Sequence, residues 1–118
     1  MKAIGTETDL RDLLDAPMAI LFLDANWSEY ARISKLMVEH IEKYVHMKRS
    51  DIVFYCGQFE GGQLQLAQDV VDLGVSSQSF SGNGSLAFFI KGRCVENLNS
   101  VMASGTEKVW SSIRVHFK

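Results

Sequence analysis

An almost unbroken apolar segment, Met18–Leu23, constrains the fold of this chain more than any other feature of the sequence. It follows Pro17, the only proline, and ends at Asp24. A strand with one solvent-exposed face alternates apolar and polar residues, whereas this segment is apolar on both faces. Both faces must therefore be covered by other elements, as they are for a central strand in a layered α/β sheet.

Two further segments have the composition of buried strands. Asp51–Cys56 is β-branched and aromatic in its interior, and Leu86–Ile90 is wholly apolar. Lys91-Gly92-Arg93 fits a tight turn into Cys94–Leu98, which predicts an antiparallel hairpin. Lys2–Ile4 is a candidate for one more short strand.

Helical patterns lie between these strands. Thr6 is placed as the N-cap of a first short helix, with Asp9 at the third helical position. A long helix is predicted from Ser28, its N-cap, to His46. Its core-facing side is predicted from apolar residues at spacings of three and four: Ile33, Leu36, Met37, Ile41, Tyr44 and Val45.

Two more helices complete the pattern. Gln63–Leu73 is predicted to be helical, with Gly74 in the left-handed conformation that ends many helices. Thr106–Phe117 is predicted to be an amphipathic helix capped by Ser104 or Thr106. Helices between apolar strands imply parallel crossover units, and the hairpin adds an antiparallel edge. The sequence therefore predicts a mixed sheet of four or five strands with helices on both faces.

Composition sets limits on function. The chain has 118 residues, of which 47% are hydrophobic and 22% charged, and its net charge is −2. This predicts a single globular domain over residues 1–118, and it gives no reason to expect nucleic acid or an anionic membrane as a partner. The apolar runs are too short to span a bilayer, and no secretory stretch is present at the N-terminus. We therefore expect a cytoplasmic location.

Cysteine and histidine usage predicts neither a metal site nor a bound cofactor. Cys56 and Cys94 form no CxxC motif and no disulfide framework. The three histidines, His40, His46 and His116, lack the i,i+4 spacing and the neighbouring acidic residues that a metal site on a helix favours.

The sequence Trp27-Ser28-Glu29-Tyr30-Ala31-Arg32 joins the central strand to the long helix. In its order and lengths of elements the chain resembles the thioredoxin family across nearly its whole length. That family has Trp-Cys-Gly-Pro-Cys-Lys at this place, and later a cis-proline before an apolar strand that ends in Asn-Gly. The matching later stretch here runs from Gly84 to Gly92. The resemblance implies a thioredoxin-like three-layer α/β/α fold.

Four positions depart from the family in ways that matter chemically. Thiol–disulfide exchange needs a thiolate and a second, resolving thiol, but Ser28 and Ala31 occupy the two cysteine positions. Phe22 corresponds to the family's buried acidic residue, and Gly84 stands where the cis-proline would be. The resemblance with these losses predicts no dithiol oxidoreductase activity and favours a protein that is not an enzyme.

Cys56 leaves one enzymatic alternative. It ends a predicted parallel strand, at the sheet edge where α/β sites gather, while Cys94 should lie at the opposite end of the sheet, too far away for a bridge. A single-thiol enzyme or redox sensor would use Cys56 in a glutathione- or peroxide-linked reaction.

Three loops, Trp27–Tyr30, Gly57–Gly62 and Ser79–Ser85, should gather at one edge of the sheet. The thioredoxin family uses this edge to hold extended polypeptide, and the loops carry aromatic residues of the kind favoured in interface hot spots. Our leading hypothesis is a redox-inactive domain that binds a protein or peptide partner there, a homodimer being one form of this. The candidate binding residues are Trp27, Ser28, Glu29, Tyr30, Phe59, Phe80 and Gly84.

Overall fold

The apolar segment Met18–Leu23 forms strand β2 at the centre of a five-stranded sheet. The computed structural model describes residues 1–59, 64–80 and 82–118. The other strands are β1 (Lys2–Ile4), β3 (Ile52–Gly57), β4 (Ser85–Ile90) and β5 (Arg93–Leu98). The helices are α1 (Glu7–Asp15), α2 (Glu29–His46), α3 (Leu64–Asp72), α4 (Val101–Ser104) and α5 (Thr106–His116), and a 3₁₀ turn (Ser77–Phe80) precedes β4. The glycine pair Gly61-Gly62 and the expected first residue of the third helix, Gln63, lie outside the described residues.

The strand order β1-β3-β2-β4-β5 confirms the predicted mixed sheet. β1, β3 and β2 run parallel, while β4 pairs antiparallel with β2 and β5 pairs antiparallel with β4. The β4–β5 turn consists of Lys91 (φ 49°) and Gly92 (φ 78°). Positive φ at both central residues is the conformation that favours a tight two-residue hairpin. The candidate strand at Lys2–Ile4 is confirmed as an edge of the sheet.

Two apolar clusters show that helices cover both faces of the sheet. On one face, Leu13 of α1 and Val70 of α3 pack in one cluster with Leu21 of β2. On the other, Ile41 of α2 and Ile113 of α5 belong to a second cluster, together with strand residues such as Phe54. Because consecutive β2 side chains point to opposite faces, this strand contributes to both clusters. The sheet therefore lies between two helical layers, as predicted.

The predicted N-cap of α1 and the left-handed glycine predicted after the third helix are confirmed. The Thr6 hydroxyl accepts a hydrogen bond of 3.2 Å from the amide of Asp9, and the Asp9 carboxylate accepts one of 3.1 Å from the amide of Thr6. This reciprocal pair is a capping box, which satisfies amides that have no partner inside the helix. Beyond α3, Gly74 has φ +103°, the left-handed conformation expected there.

The predicted cap of the last helix is wrong. α5 begins after Gly105, which forms no side-chain cap, so neither Ser104 nor Thr106 caps it. Ser104 instead ends the short helix α4, whose own cap is Ser100. Gly105 separates the two helices with φ +84° and ψ 158°, a conformation that residues with a Cβ rarely adopt.

The buried face of α2 also differs from the predicted one. Ile41 and Val45 are buried as expected, but Ile33, Leu36 and Tyr44 are exposed. The positions buried in their place are Ala31, Ser34 and Val38. Ala31 and Ser34 are small because the backbone at Gly84 passes close to them. Ile33 and Tyr44 each precede a buried residue by one position and lie about 100° around the helix from the buried face, whereas Leu36 lies on the far side.

Candidate functional site

Ser28 fastens the start of α2 to the loop before β4. Its hydroxyl accepts a hydrogen bond of 3.3 Å from the amide of Ala31, which confirms the predicted N-cap. The same hydroxyl donates a hydrogen bond of 2.5 Å to the carbonyl oxygen of Gly82. One small side chain thus caps the start of the helix and holds a second loop against it, next to Trp27 and Tyr30.

Trp27 lies over the same loop. A Cβ added at Gly82 would overlap the indole ring, so the ring occupies the space that a side chain there would take. Trp27 nevertheless remains 64% exposed, and Tyr30 is 63% exposed. Sequence reasoning left Gly82 out of the candidate site, although the Gly-x-Gly spacing before β4 was a signal that the backbone comes close to another group here.

The backbone of Gly84, just before β4, lies close to α2. Its φ is +73°, and a Cβ built on it would lie 2.5 Å from the Cβ and Oγ of Ser34 and 3.3 Å from the Cα of Ala31. All described peptide bonds are trans. A residue with a side chain would meet both a conformational penalty and a steric one, so glycine is the residue that this approach requires.

The two positions that the resemblance assigns to cysteines carry no sulfur, and Phe22 is the residue that the resemblance assigns to the buried acid. Ala31 is fully buried, and the Ser28 hydroxyl is engaged in the two hydrogen bonds described above. Phe22 is also fully buried, in register with Cys56 of β3 and Leu86 of β4. Nothing at these positions can exchange a disulfide or take up a proton.

Cys56 and Cys94 lie far apart. Cys56 packs against the cluster on the α2 face of the sheet, and Cys94 against the cluster on the α1 face. Their strands are three steps apart in the sheet order, a separation of about 14 Å at the usual strand spacing. A disulfide needs Cα atoms within about 7 Å, so these two thiols cannot pair, as expected.

The environment of each thiol also opposes ionisation. Burial, with a further contribution from the Asp24 carboxylate, raises the pKa of Cys56 to about 11. Burial likewise raises the pKa of Cys94. Because the thiolate is the reactive form, both groups are poor nucleophiles at neutral pH. This environment argues against the single-thiol alternative.

A shallow depression of about 200 Å³ lies beside Trp27, between the end of β2 and the first turns of α2. Its four charged side chains form two pairs. The Lys35 ammonium lies 3.5 Å from the mostly buried Asp24 carboxylate, and the Arg32 guanidinium donates hydrogen bonds of 3.1 and 2.8 Å to the Glu29 carboxylate. With its charges paired internally, the depression is suited to a neutral polar contact rather than to a free ion.

Phe59 and Phe80 are placed differently from the other candidate aromatics. Their rings meet edge to face with centroids 5.8 Å apart, and both pack in the cluster on the α1 face. Phe59 is buried and Phe80 is half-buried. Because both rings pack in this cluster, Trp27 and Tyr30 are the candidate aromatic residues that are more than half exposed.

Among residues 1–59, 64–80 and 82–118, no group of histidine, cysteine and acidic side chains is placed to hold a metal ion. In the same part of the chain, no helix has the length and apolar character needed to cross a membrane.

No protein-family model matches the sequence, and no curated protein matches it. Solved structures do match. Oxidised thioredoxin O2 from Arabidopsis thaliana has a TM-score of 0.70 at 16% identity, with 99% of this chain and 94% of that chain covered. Fasciola hepatica thioredoxin has a TM-score of 0.70 at 17% identity, covering 98% and 99%. A thioredoxin f2 solved in complex with ferredoxin:thioredoxin reductase has a TM-score of 0.73 at 12% identity, covering 99% and 94%. Similarity at such low identity establishes a shared fold and leaves the function to be argued from the site.

Proposed function

We propose that this chain, which has a thioredoxin-like fold, is a redox-inactive module that binds a protein or an extended peptide at the Trp27 edge of its sheet. The observation that carries the proposal is the exposure of Trp27 and Tyr30. Both side chains are more than half exposed, and they lie at the start of α2, where the sequence has no cysteine. Large aromatic side chains in the open are the residues that dominate binding energy in protein interfaces.

The rigidity of the support favours binding. The Ser28 hydroxyl bonds the start of α2 to the carbonyl of Gly82, and the backbone of Gly84 packs against Ser34 of the same helix. A surface that is already ordered loses little conformational entropy when a partner binds. One structurally similar protein, thioredoxin f2, was solved in complex with another protein. This shows that a domain of this fold can engage a protein partner, and we extend that property to this chain.

The chemistry of the site supports the redox-inactive part of the proposal. The Ser28 hydroxyl stays protonated at neutral pH and forms no exchangeable bond to sulfur, and the alanine at position 31 cannot resolve a mixed disulfide. Cys56, with a pKa of about 11, supplies almost no thiolate at pH 7. In an insulin-reduction assay with a dithiol donor we expect no rate above background, and measurable turnover would overturn this part of the proposal.

Binding is tested separately. Peptides selected on the immobilised protein from a random displayed library would be measured by calorimetry against wild type, a Trp27→Ala/Tyr30→Ala double variant and Val115→Ala. Val115 is an exposed apolar residue of α5, so its variant controls for the loss of exposed apolar surface as such. We expect the double variant to bind at least about tenfold more weakly, a loss typical of hot-spot residues, and the control to bind like wild type. Equal affinities for all three proteins would refute the Trp27 edge.

A further inference from the structure

In the loop before β4, Asn83 is followed by Gly84, which makes the one Asn-Gly pair of the chain. The other three asparagines precede Trp27, Leu98 and Ser100. An asparagine side chain can react with the main-chain nitrogen of the next residue, because the two groups close a small, unstrained ring. A side chain on that next residue hinders the approach, whereas glycine has no Cβ. The sequence therefore makes Asn83 the asparagine most open to this reaction.

The nitrogen that attacks in this reaction is not tied into the backbone network. Among residues 1–59, 64–80 and 82–118, the amide of Gly84 donates no backbone hydrogen bond. An amide that does donate one must give it up before its nitrogen can react, and this adds to the barrier. Asn83 itself is exposed, so water reaches its side chain. The reacting nitrogen and the solvent are thus both at hand in the folded chain.

We propose that Asn83 is a site of spontaneous deamidation, with water as the co-reactant. The Gly84 nitrogen loses its proton and bonds to Cγ of Asn83, while the bond from Cγ to Nδ2 breaks and the nitrogen leaves as ammonia. Water then opens the cyclic imide. Opening at Cγ leaves an aspartate, and opening at the main-chain carbonyl leaves an isoaspartate, whose main chain runs through Cβ and Cγ. The net change exchanges an amide for a carboxylate, with no oxidation or reduction.

The structure fixes the main chain on both sides of Asn83. On one side, the carbonyl oxygen of Gly82 accepts the hydrogen bond of the Ser28 hydroxyl. On the other, the carbonyl oxygen of Gly84 accepts a hydrogen bond of 2.8 Å from the amide of Val101, and its backbone packs against α2. An isoaspartate adds one methylene between these anchors, about 1.5 Å of chain. The single bond to Gly82 is the weaker anchor, so the longer chain breaks it.

The aspartate product separates the effect of charge from that of chain length. Both products carry a carboxylate that is ionised at neutral pH, since an aspartate has a pKa of about 3.9. Asn83→Asp therefore introduces the charge while leaving the main chain as it is. The Trp27 ring lies over Gly82, so loss of the Ser28 bond to Gly82 removes the support beneath that ring. The expected weakening of peptide binding by isoaspartate rests on the proposed function, whereas the modification itself does not.

Mass spectrometry of peptides from the full chain, incubated at neutral and mildly alkaline pH, tests the modification. We expect Asn83 to convert at least about tenfold faster than Asn97, a difference of about 1.4 kcal/mol in activation free energy. Asn97 is a suitable reference because its Nδ2 donates a hydrogen bond of 3.1 Å to the carbonyl oxygen of Gly74 and a leucine follows it. The rate should rise with pH, since the attacking nitrogen must lose its proton. Asn83→Gln should block the reaction because glutamine closes a larger ring.

Two outcomes overturn the modification site. One is conversion of Asn83 no faster than that of Asn97. The other is conversion in the urea-unfolded chain with none in the native protein, which would mean that the fold protects the Asn83–Gly84 bond.

Urea unfolding and calorimetry test the consequence. Deamidated chains are isolated by anion exchange, and their isoaspartate content is measured with a protein-isoaspartate methyltransferase. Isoaspartate chains should unfold at a lower urea midpoint than Asn83→Asp, and the difference should shrink in a Ser28→Ala background, where the bond to Gly82 is already missing. Equal midpoints for isoaspartate chains and Asn83→Asp would refute the main-chain argument.

Peptides selected on the wild type should bind isoaspartate chains at least about tenfold more weakly than Asn83→Asp, a difference of about 1.4 kcal/mol. Equal peptide affinities would refute the link between the Gly82 contact and the Trp27 edge. A wild-type chain that binds no peptide would refute the proposed function, while the mass and unfolding measurements would still decide the modification.

Discussion

The Ser28 hydroxyl donates a hydrogen bond to the carbonyl oxygen of Gly82, a residue 54 positions further along the chain. This contact joins the helix that follows β2 to the loop that precedes β4, the two segments between which the candidate site lies. Because the same hydroxyl caps α2, its removal affects both segments at once.

Ser28→Ala should lower the free energy of unfolding by about 2 kcal/mol, roughly one from the lost helix cap and one from the lost bond to Gly82. Urea denaturation followed by circular dichroism measures the change. Ser100→Ala is the matched control, since the Ser100 hydroxyl caps α4 through the amide of Ala103. We expect about 1 kcal/mol for that variant. Equal losses in the two variants would mean that the Gly82 contact contributes nothing to stability.

Gly84→Ala should destabilise the protein more than Gly105→Ala. Both glycines have positive φ, and an alanine at either pays a conformational cost on the order of 1–3 kcal/mol. A Cβ at Gly105 meets no atom within 4 Å, but one at Gly84 lies 2.5 Å from Ser34. Forcing β4 away from α2 should add about 1–3 kcal/mol, the usual cost of overpacking.

A double-mutant cycle isolates the steric part of the Gly84 effect. Ser34→Gly removes the two nearest atoms that the new Cβ would approach, so it should offset part of the loss caused by Gly84→Ala. Thermal and urea unfolding of the single and double variants provide the coupling energy. Strictly additive losses would show that the close approach to Ser34 does not limit the residue at this position.

Glu96 should make folding stability depend on pH in the acid range. Burial by itself raises the pKa of Glu96, but its neighbours on α5 outweigh burial and hold the pKa below its usual value. They include His116, with Nε2 2.8 Å from Oε1, and Lys108, with Nζ 3.2 Å from Oε2. A lowered folded-state pKa adds stability above the unfolded-state value of about 4.3, and that stability is lost as the pH falls through the lower folded-state value.

Glu96→Gln should therefore be less stable than wild type at neutral pH, and the difference should shrink as the solution is acidified below pH 4. Urea midpoints measured across this range test the sign. Glu39→Gln, which changes an exposed carboxylate of α2, serves as the control and should follow the wild-type curve. A difference between wild type and Glu96→Gln that stays constant with pH would contradict the linkage.

The thiol of Cys56 should react slowly in the native protein. With a pKa of about 11, its thiolate fraction at pH 7 is on the order of one part in ten thousand. In a Cys94→Ser background, the rate with an aromatic disulfide reagent should be far below that of the urea-unfolded chain and should rise steeply with pH. A native rate equal to the unfolded rate at neutral pH would restore the single-thiol enzyme as a candidate.

The strands and most helix ends could be predicted from the sequence because their signals are local. Met18–Leu23 is apolar on both faces wherever it lies, the Thr6–Asp9 capping box forms between near neighbours, and Lys91-Gly92 has residues suited to a tight turn. The absence of sulfur at Ser28 and Ala31 is likewise visible without a structure. The break between α4 and α5 at Gly105 could not be predicted, because a glycine between two short helical segments looks the same in the sequence as a glycine in a loop.

The side chains that face outward could not be predicted. Apolar residues of α2 fit two adjacent seams equally well, and hydrophobicity favours Ile33 and Tyr44 for the core. The structure buries Ala31 and Ser34 instead, because only small side chains allow the backbone of Gly84 to approach the helix. This distant contact turns the larger residues outward.

The sequence by itself thus determined the α/β layering, the order of the strands along the chain and the absence of sulfur at positions 28 and 31, since each follows from residue type and short-range spacing. Only the tertiary structure decided which aromatic side chains are exposed. Phe59 and Phe80 pack against each other and in the cluster on the α1 face, whereas the Trp27 ring lies over Gly82 and stays exposed. Such choices depend on contacts between residues far apart in the chain, where close packing leaves room for one side chain and excludes another.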